Sequence, residues 1–346
     1  MTVMRRLVVD LMSSAPHMQL PAWAADRLRA AAPAGWEVVV IHSIAKSVGS
    51  GTNAPSDEAL AAVPQAEAYY AFGVSPAVLA AAPLLRWAHS ASAGITSSIT
   101  PALRASGVVL TNSAGVYAEP MADTVLAGVM QFVRGLDFAM RQQLDSRWNQ
   151  RPFISAESQL RELSECRVLV VGAGGIGRAV AQRFTALGCA CTGIRARPSL
   201  GIPHGFSRIA GPDALPRELA LADIVVLAAP LTASSEKLLD AVHLALLPPG
   251  AIVVNVARGG LIDDDALLAA LDAGHVRGAV LDVFNTEPLP AANPLWRHPC
   301  ILITPHVSSV SPHRTWGRAL DLFEDNWRRW AAGEPLRNVV NLDAGY

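Results

Sequence analysis

The sequence predicts an α/β protein of two domains, each built on a mostly parallel sheet. Three observations predict it. Short apolar runs alternate with helical-period stretches along both halves of the chain, the pattern of βαβ units. One run, Val168 to Val171, leads through Gly172, Gly174 and Gly177 into a helical segment. The 346 residues exceed one typical domain.

The glycine segment, R-V-L-V-V-G-A-G-G-I-G-R-A-V-A-Q-R from Arg167 to Arg183, organises the rest. Its G-x-G-x-x-G spacing follows a β-branched run and precedes Ala179, Val180, Ala181 and Phe184 at helical spacing. Gly172 allows the tight turn, Gly174 lets backbone approach a pyrophosphate, and Gly177 lets the helix pack on its strand. The phosphates then meet free N–H groups at the helix start. With strand and helix both in place, the motif reads as a dinucleotide site.

Taken in order, Leu7–Leu11, Trp36–Ile41, Ala66–Phe72, Leu85–His89 and Val108–Thr111 read as five strands of the first half. Ala22–Ala32 and Pro76–Ala82 read as helices, with a short one before Ala66. Lys46–Ser56, rich in Gly and Ser, reads as a mobile loop. Glu119–Gln143 reads as one long helix entered through Pro120, with Met121, Val125, Val129, Phe132, Val133, Leu136 and Met140 on its apolar face. Arg147–Glu165 is polar and reads as a loop. Ala190–Ile194, Ile224–Ala228, Ala251–Asn255, Gly278–Val283 and Ile301–Thr304 read as further strands after Val168–Val171. The helices between them are Arg178–Leu187, Asp240–Leu246 and Asp264–Ala273. A closing helix, Pro312–Ala332, is expected to return to the first domain. The expected division is therefore 1–117 with 308–346 as substrate domain, and 118–307 as dinucleotide-binding domain.

Half the residues are hydrophobic (51%) and 16% are charged, which suits a large core. A net charge of −1 gives no field to attract nucleic acid or acidic membranes. Arg328-Arg329 lies between Trp327 and Trp330 and reads as a packed helix face. Cys166, Cys189, Cys191 and Cys300 lack C-x-x-C spacing, so they read as buried free thiols of a reducing compartment, with no metal site. The opening residues read as an ordinary strand, and no apolar run has membrane-spanning length. The expectation is a cytoplasmic protein without an appended regulatory domain.

Three segments each follow an apolar strand: N-V-A-R-G-G (Asn255–Gly260), L-D-V-F-N-T-E-P (Leu281–Pro288) and T-P-H (Thr304–His306). Ligands bind beyond the carboxyl ends of such strands, so Arg258, Glu287 and His306 are expected to converge. An Arg can hold a carboxylate bidentately and polarise a carbonyl. A His can donate a proton to oxygen as hydride reaches carbon, and a Glu on its other nitrogen keeps the ring turned and charged.

The ordered set G-A-G-G-I-G, N-V-A-R-G-G-L-I-D-D-D-A-L, D-V-F-N-T-E-P-L and T-P-H resembles the D-isomer-specific 2-hydroxyacid dehydrogenase family, of the glyoxylate/hydroxypyruvate reductase type. N-S-A-G-V-Y-A-E-P-M-A-D and Trp148 also fit, so the likeness spans nearly the whole chain. It implies two Rossmann- or flavodoxin-like domains flanking a cleft, and a homodimer formed through the cofactor domains. It implies that Arg258 binds substrate, His306 is acid/base and Glu287 is its partner. It implies that Asp282 holds the nicotinamide carboxamide, with further cofactor contacts from Gly172, Gly174, Gly175, Ile176, Gly177, Pro230, Thr232, Val256 and Ala257. The backbone of Ser92, Ala93, Gly94 and Ile95 would cradle the substrate carboxylate. The sequence departs from the family at Thr96, where Asp often falls, and at Asp123, where Glu is usual.

About twenty residues past the glycine motif, NAD-binding versions carry an acid that accepts from the ribose hydroxyls. Here the stretch is T-G-I-R-A-R-P, with Arg195 in that place and Arg197 two further on. Guanidinium groups bind a 2′-phosphate that a carboxylate would repel, so NADP(H) is expected in preference to NAD(H). The expected activity is NADPH-dependent reduction of a small 2-oxo acid to the D-2-hydroxy acid (EC 1.1.1.-). An NAD-linked, phosphoglycerate-type dehydrogenase, formate or phosphite oxidation, and a non-catalytic dinucleotide sensor of the corepressor type are the alternatives. Trp87, Tyr117, Trp316 and His313 are candidate lining residues for the substrate side chain.

Overall fold

A computed structural model describes residues 4–45, 47–49 and 52–343. By internal packing the chain divides into two units: residues up to Tyr117 together with those from Val310, and Ala118–Ser309.

The first unit carries β1 (Arg5–Asp10), β2 (Trp36–Val40), β3 (Ser47–Gly49), β4 (Thr52–Ala54), β5 (Ala68–Ala71), β6 (Trp87–Ser90) and β7 (Val109–Asn112). Five form a parallel sheet in the order β2-β1-β5-β6-β7. Parallel strands need crossovers, which bury both faces of the sheet, so β5 and β6 are buried at every position. The helix Thr315–Ala332 packs here: Leu320, Phe323 and Trp327 join Leu7, Val9, Tyr70 and Trp87 in one core cluster. Phe323 stacks on Tyr70 at 4.1 Å and on Trp87 at 5.3 Å between ring centroids. Burying an aromatic of this size contributes about 1.5–3 kcal/mol, before its packing geometry adds to that.

The second unit carries β8 (Arg167–Val171), β9 (Ala190–Ile194), β10 (Arg208–Ala210), β11 (Ile224–Leu227), β12 (Ala251–Asn255), β13 (Val276–Leu281) and β14 (Ile301–Ile303). They form one sheet in the order β10-β9-β8-β11-β12-β13-β14, every neighbour parallel. The order reverses between β8 and β11, the switch point at which open α/β sheets leave a crevice. The residues that follow β8, β11, β12, β13 and β14 are those singled out above.

The structure departs from the sequence reading in several places. Glu119–Gln143 is two helices, Ala118–Val133 and Leu136–Leu144, because Gly135 adopts the left-handed φ of 67° at the join. Glycine takes that conformation without steric cost, and a Cβ there would lie 2.7 Å from Leu160. The second of these helices is anchored by a buried bidentate pair, Arg277 to Asp137 at 2.7 and 3.1 Å. Within the stretch read as a mobile loop, β3 and β4 pair antiparallel, while Lys46, Ser50 and Gly51 lie outside the described residues. The glycine-motif helix begins at Gly175, three residues earlier than expected. β10 and the short helices Pro101–Ser106, Arg151–Ile154 and Leu215–Leu219 are too brief to show a period in sequence. Cys166, Cys189, Cys191 and Cys300 are free, the first three buried. No helix among the described residues is long and apolar enough to cross a membrane.

Candidate active site

At the end of β8 the chain turns on Gly172, whose φ is 106°. A Cβ there would lie 2.5 Å from the backbone of Ala228, where β11 ends, so no side chain fits. A Cβ on Gly177 would stand 1.9 Å from the carbonyl oxygen of Gly172, so this helix can approach its strand only with glycine. Gly174, at the N-cap, is exposed and has nothing within 4 Å of its missing Cβ. Space therefore opens where the helix presents its unpaired N–H groups, Gly175 and Ile176 among its first residues. This cradle suits a pyrophosphate.

Arg195 directly follows β9, and no acid stands beside it. Its Nη2 donates to the Gly201 carbonyl at 2.8 Å, and its buried Nε has no acceptor among the described residues. A buried, unpaired guanidinium N–H is costly, and an added anion would satisfy it. Arg197 is exposed two residues on. Past β11, the Thr232 N–H donates to Ser235 Oγ at 2.8 Å, and Ser235 Oγ donates to the Pro230 carbonyl at 2.9 Å, forming a closed turn. Past β12, Val256 and Ala257 are buried, and Asn255 holds the turn by donating to the Arg258 carbonyl and accepting from the Ala257 N–H. These groups fit a phosphorylated dinucleotide.

Glu287 and His306 come together. Oε2 of Glu287 lies 2.7 Å from Nδ1 of His306, and Oε1 accepts the Phe284 N–H at 2.9 Å. An ionised carboxylate only accepts, so Nδ1 carries the hydrogen and Nε2 is the free ring nitrogen. His306 is 40% exposed, and its backbone is left-handed at φ 53°. A non-glycine residue holds that conformation only when its surroundings over-determine it. They do: the His306 N–H donates to the Asp282 carbonyl at 2.9 Å, and the buried Asp282 carboxylate clamps what flanks it. That carboxylate accepts from Thr304 Oγ1 at 2.6 Å, from the N–H groups of Val307 and Ser308 at 2.9 and 3.1 Å, and from Ser308 Oγ. Asp282, expected at the carboxamide, is thus engaged inside the fold as an anchor of the His306 loop.

Arg258 is half-buried, with Nη1 donating to the Ala257 carbonyl at 2.6 Å. The next residue, Gly259, abuts the Phe284–Asn285 backbone so closely that a Cβ would lie 2.0 Å from it. The turn bearing Arg258 is thereby pressed against the segment bearing Glu287.

In the first unit, Ser92–Ile95 leaves the end of β6. The carbonyls of Ser92 and Ala93 accept from the Ser113 N–H at 3.1 Å and from Asn112 Nδ2 at 2.9 Å. In a trans peptide the N–H points opposite the carbonyl, so the Ala93 and Gly94 N–H groups turn away from β7. The N–H groups of Ala93, Gly94 and Ile95 have no acceptor among the described residues. Of the candidate lining residues, Trp87 is a core residue, fully buried and donating to Thr111 Oγ1. Tyr117 donates its hydroxyl to the Ala91 carbonyl at 2.6 Å. Trp316 lies edge-on to Phe72 at 6.4 Å, and His313 is exposed. The departure at Asp123 is a surface ion pair with Arg183 at 2.7 Å.

The family model for the D-isomer-specific 2-hydroxyacid dehydrogenase NAD-binding domain matches residues 126–308. The chain belongs to the D-isomer-specific 2-hydroxyacid dehydrogenase family. This is a family of NAD(P)-dependent oxidoreductases. The crystal structure of a D-isomer-specific 2-hydroxyacid dehydrogenase from Xanthobacter autotrophicus Py2, in complex with NADPH and MES, superposes with a TM-score of 0.79. It is 32% identical, and the match covers 99% of each chain. Glyoxylate/hydroxypyruvate reductase A of Serratia proteamaculans (strain 568) is 31% identical over 66% of this chain and 69% of the relative. D-3-phosphoglycerate dehydrogenase of Mycobacterium bovis (strain ATCC BAA-935 / AF2122/97) is 33% identical over 84% of this chain and 54% of its own length. The chain thus spans about half the length of that dehydrogenase.

Proposed function

We propose that this dehydrogenase-family protein uses NADPH to reduce a small 2-oxo acid, of the glyoxylate or hydroxypyruvate type, to the D-2-hydroxy acid. The observation that carries the reading is the His306–Glu287 pair on a loop locked by Asp282. NADPH supplies the hydride when bound. His306 Nε2, the nitrogen left free by Glu287, gives its proton to the carbonyl oxygen. Glu287 stabilises the charged ring and fixes its orientation. Arg258 binds the carboxylate and polarises the carbonyl, and the N–H groups of Ala93, Gly94 and Ile95 take the carboxylate oxygens. Arg195 and Arg197 bind the 2′-phosphate, while Gly174, Gly175 and Ile176 face the pyrophosphate.

The likeness to phosphoglycerate dehydrogenase sustains a second reading, NAD-linked oxidation of a phosphorylated hydroxy acid. The arginines following β9 favour the first. Oxidation of NADPH and NADH should be followed by absorbance with glyoxylate, hydroxypyruvate, pyruvate and phenylpyruvate. Faster loss of NADPH with a small acid supports the reading. Equal or better use of NADH overturns the cofactor assignment, and no turnover of any acid overturns the reaction.

The homodimer belongs to the same proposal. Leu144, Trp148 and Ile154 of the second unit are 85%, 93% and 74% exposed, and apolar side chains this bare suit a second copy of the chain. Sedimentation of the protein as a monomer at micromolar concentration would remove this element. The free thiols fit a reducing compartment, the cytoplasm.

A further inference from the structure

We propose that Asn112 and Tyr117 are positioning residues that set the anion cradle, Asn112 by latching its Ala93 carbonyl and Tyr117 by latching the Ala91 carbonyl that leads into it, without touching substrate themselves. The proposal rests on the reading of Ser92–Ile95 as the carboxylate site.

The cradle is a short irregular segment, and nothing in its own sequence dictates which way its peptide planes face. Ala93 and Gly94 have small side chains that would allow either face. The orientation comes from the next strand. β6 and β7 run parallel with Ser90 opposite Asn112, so the chain leaving β7 lies beside the chain leaving β6. Three consecutive carbonyls of the β6 segment are then taken: Ala91 by the Tyr117 hydroxyl at 2.6 Å, Ser92 by the Ser113 N–H, and Ala93 by Asn112 Nδ2 at 2.9 Å. The acceptances at Ser92 and Ala93 turn the Ala93 and Gly94 N–H groups outward, while the Ser92 N–H, the peptide partner of the Ala91 carbonyl, donates to the buried Ser90 Oγ at 3.2 Å and pins the start of the segment. The Ala93 carbonyl matters most directly, because its peptide partner is the Gly94 N–H.

Asn112 is itself held rigidly. It is buried, and its Oδ1 accepts the Ala114 N–H at 3.2 Å, which fixes which end of the amide donates. Its backbone N–H donates to the Asn338 carbonyl, and Asn338 Nδ2 returns a hydrogen bond to the Asn112 carbonyl, each at 3.2 Å. Tyr117 holds the base of the same segment with a half-buried ring. A latch of this kind preorganises N–H donors before the anion arrives, so its loss appears as weaker recognition of the carboxylate.

The test is steady-state kinetics of the wild type, Asn112→Ala and Tyr117→Phe with NADPH. The substrates are glyoxylate and its amide, 2-oxoacetamide, which keeps the carbonyl and lacks the anion. The wild type should show a much lower KM for the acid than for the amide. Each variant should raise the acid KM about tenfold, the effect of one well-placed hydrogen bond, and leave kcat and the amide KM within about twofold. A general loosening of the fold would move both substrates and kcat together. A wild type that prefers the acid, with variants that keep its acid KM, overturns the latch and leaves the cradle reading standing. A wild type that does not distinguish acid from amide, or does not turn over glyoxylate, overturns the cradle reading and the latch with it. Tyr117→Phe removes one oxygen from the protein, so it keeps the test open should Asn112→Ala fail to fold.

Discussion

Glu287 grips His306 through one carboxylate oxygen, 2.7 Å from Nδ1, while its other oxygen holds the Phe284 N–H at 2.9 Å. The carboxylate is thereby fixed by the backbone of its own loop before it orients the imidazole. That leaves Nε2 as the one ring nitrogen available to a substrate oxygen.

Replacing the pair should separate chemistry from binding. His306→Ala should lower kcat by about a hundredfold or more, the usual contribution of a positioned acid/base, with NADPH affinity retained. Glu287→Gln should lower kcat less, since an amide can still accept from Nδ1 but does not stabilise a charged ring. Near-normal turnover of the His306 variant would break the mechanism.

Arg258→Ala should raise KM for the 2-oxo acid and lower kcat as well, because the guanidinium is assigned to the ground state and to the developing charge. Arg258→Lys should recover only part of the loss, since an ammonium cannot bind a carboxylate bidentately. An unchanged KM in Arg258→Ala would remove the arginine from the substrate site.

Cofactor choice is assigned to Arg195 and Arg197. Charge-assisted hydrogen bonds contribute about 1.5–3 kcal/mol, so Arg195→Ala should weaken NADPH binding about ten- to a hundredfold. NADH binding should change little. Calorimetric titration of both cofactors measures this, and a parallel loss of the two would show that Arg195 supports the fold rather than the phosphate.

Asp282→Asn should act at a distance from substrate. The amide keeps one acceptor oxygen but turns an N–H group toward donors that Asp282 now accepts from, among them Val307 and Ser308. Leaving buried donors unsatisfied costs about 1–3 kcal/mol each, so denaturant unfolding should show lower stability. Turnover should fall too, as His306 loses its fixed backbone. Full stability with full activity would contradict the anchoring role.

Buried His89 gives the first unit a pH dependence. Burial pushes its pKa down from 6.5 to about 3, and the neutral ring pairs with Thr111 Oγ1 at 2.7 Å. The folded pKa lies below the unfolded one, so the unfolded chain takes up the proton first. Stability is complete above pH 6.5 and is lost as pH falls toward 3. Between about pH 7.5 and 5 the loss should be about 2 kcal/mol. Urea unfolding of the wild type and His89→Gln at both pH values checks this, and an identical pH dependence in the two proteins would refute it.

Much of the architecture was legible in sequence because it is written in local patterns. The β8 turn is one such case. Gly172, Gly174 and Gly177 lie within one turn and one helix start, so their spacing is readable locally even though the close approach at Gly172 is made by Ala228 of a distant strand. The position of Arg195 directly after β9 was legible for a similar reason, since its offset from the glycines is fixed by one helix and one strand. The long helix through Gly135 was misread because a glycine is tolerated within a helix and equally adopts the left-handed state, taken here at φ 67°, so its presence alone does not mark the break. β10 and the helices Pro101–Ser106, Arg151–Ile154 and Leu215–Leu219, three to six residues long, were not read.

Sequence alone therefore determined the βαβ course of the chain, the glycine turn after β8 and the residue types that stand at the strand ends. Tertiary structure decided what those residues are held by. The left-handed backbone of His306, the enclosure of Asp282 and the latching of Ala93 by Asn112 all arise where ends of neighbouring strands meet. Which strands become neighbours is set by nonlocal pairing, and hydrogen bonds between residues tens of positions apart leave no periodic trace along the chain.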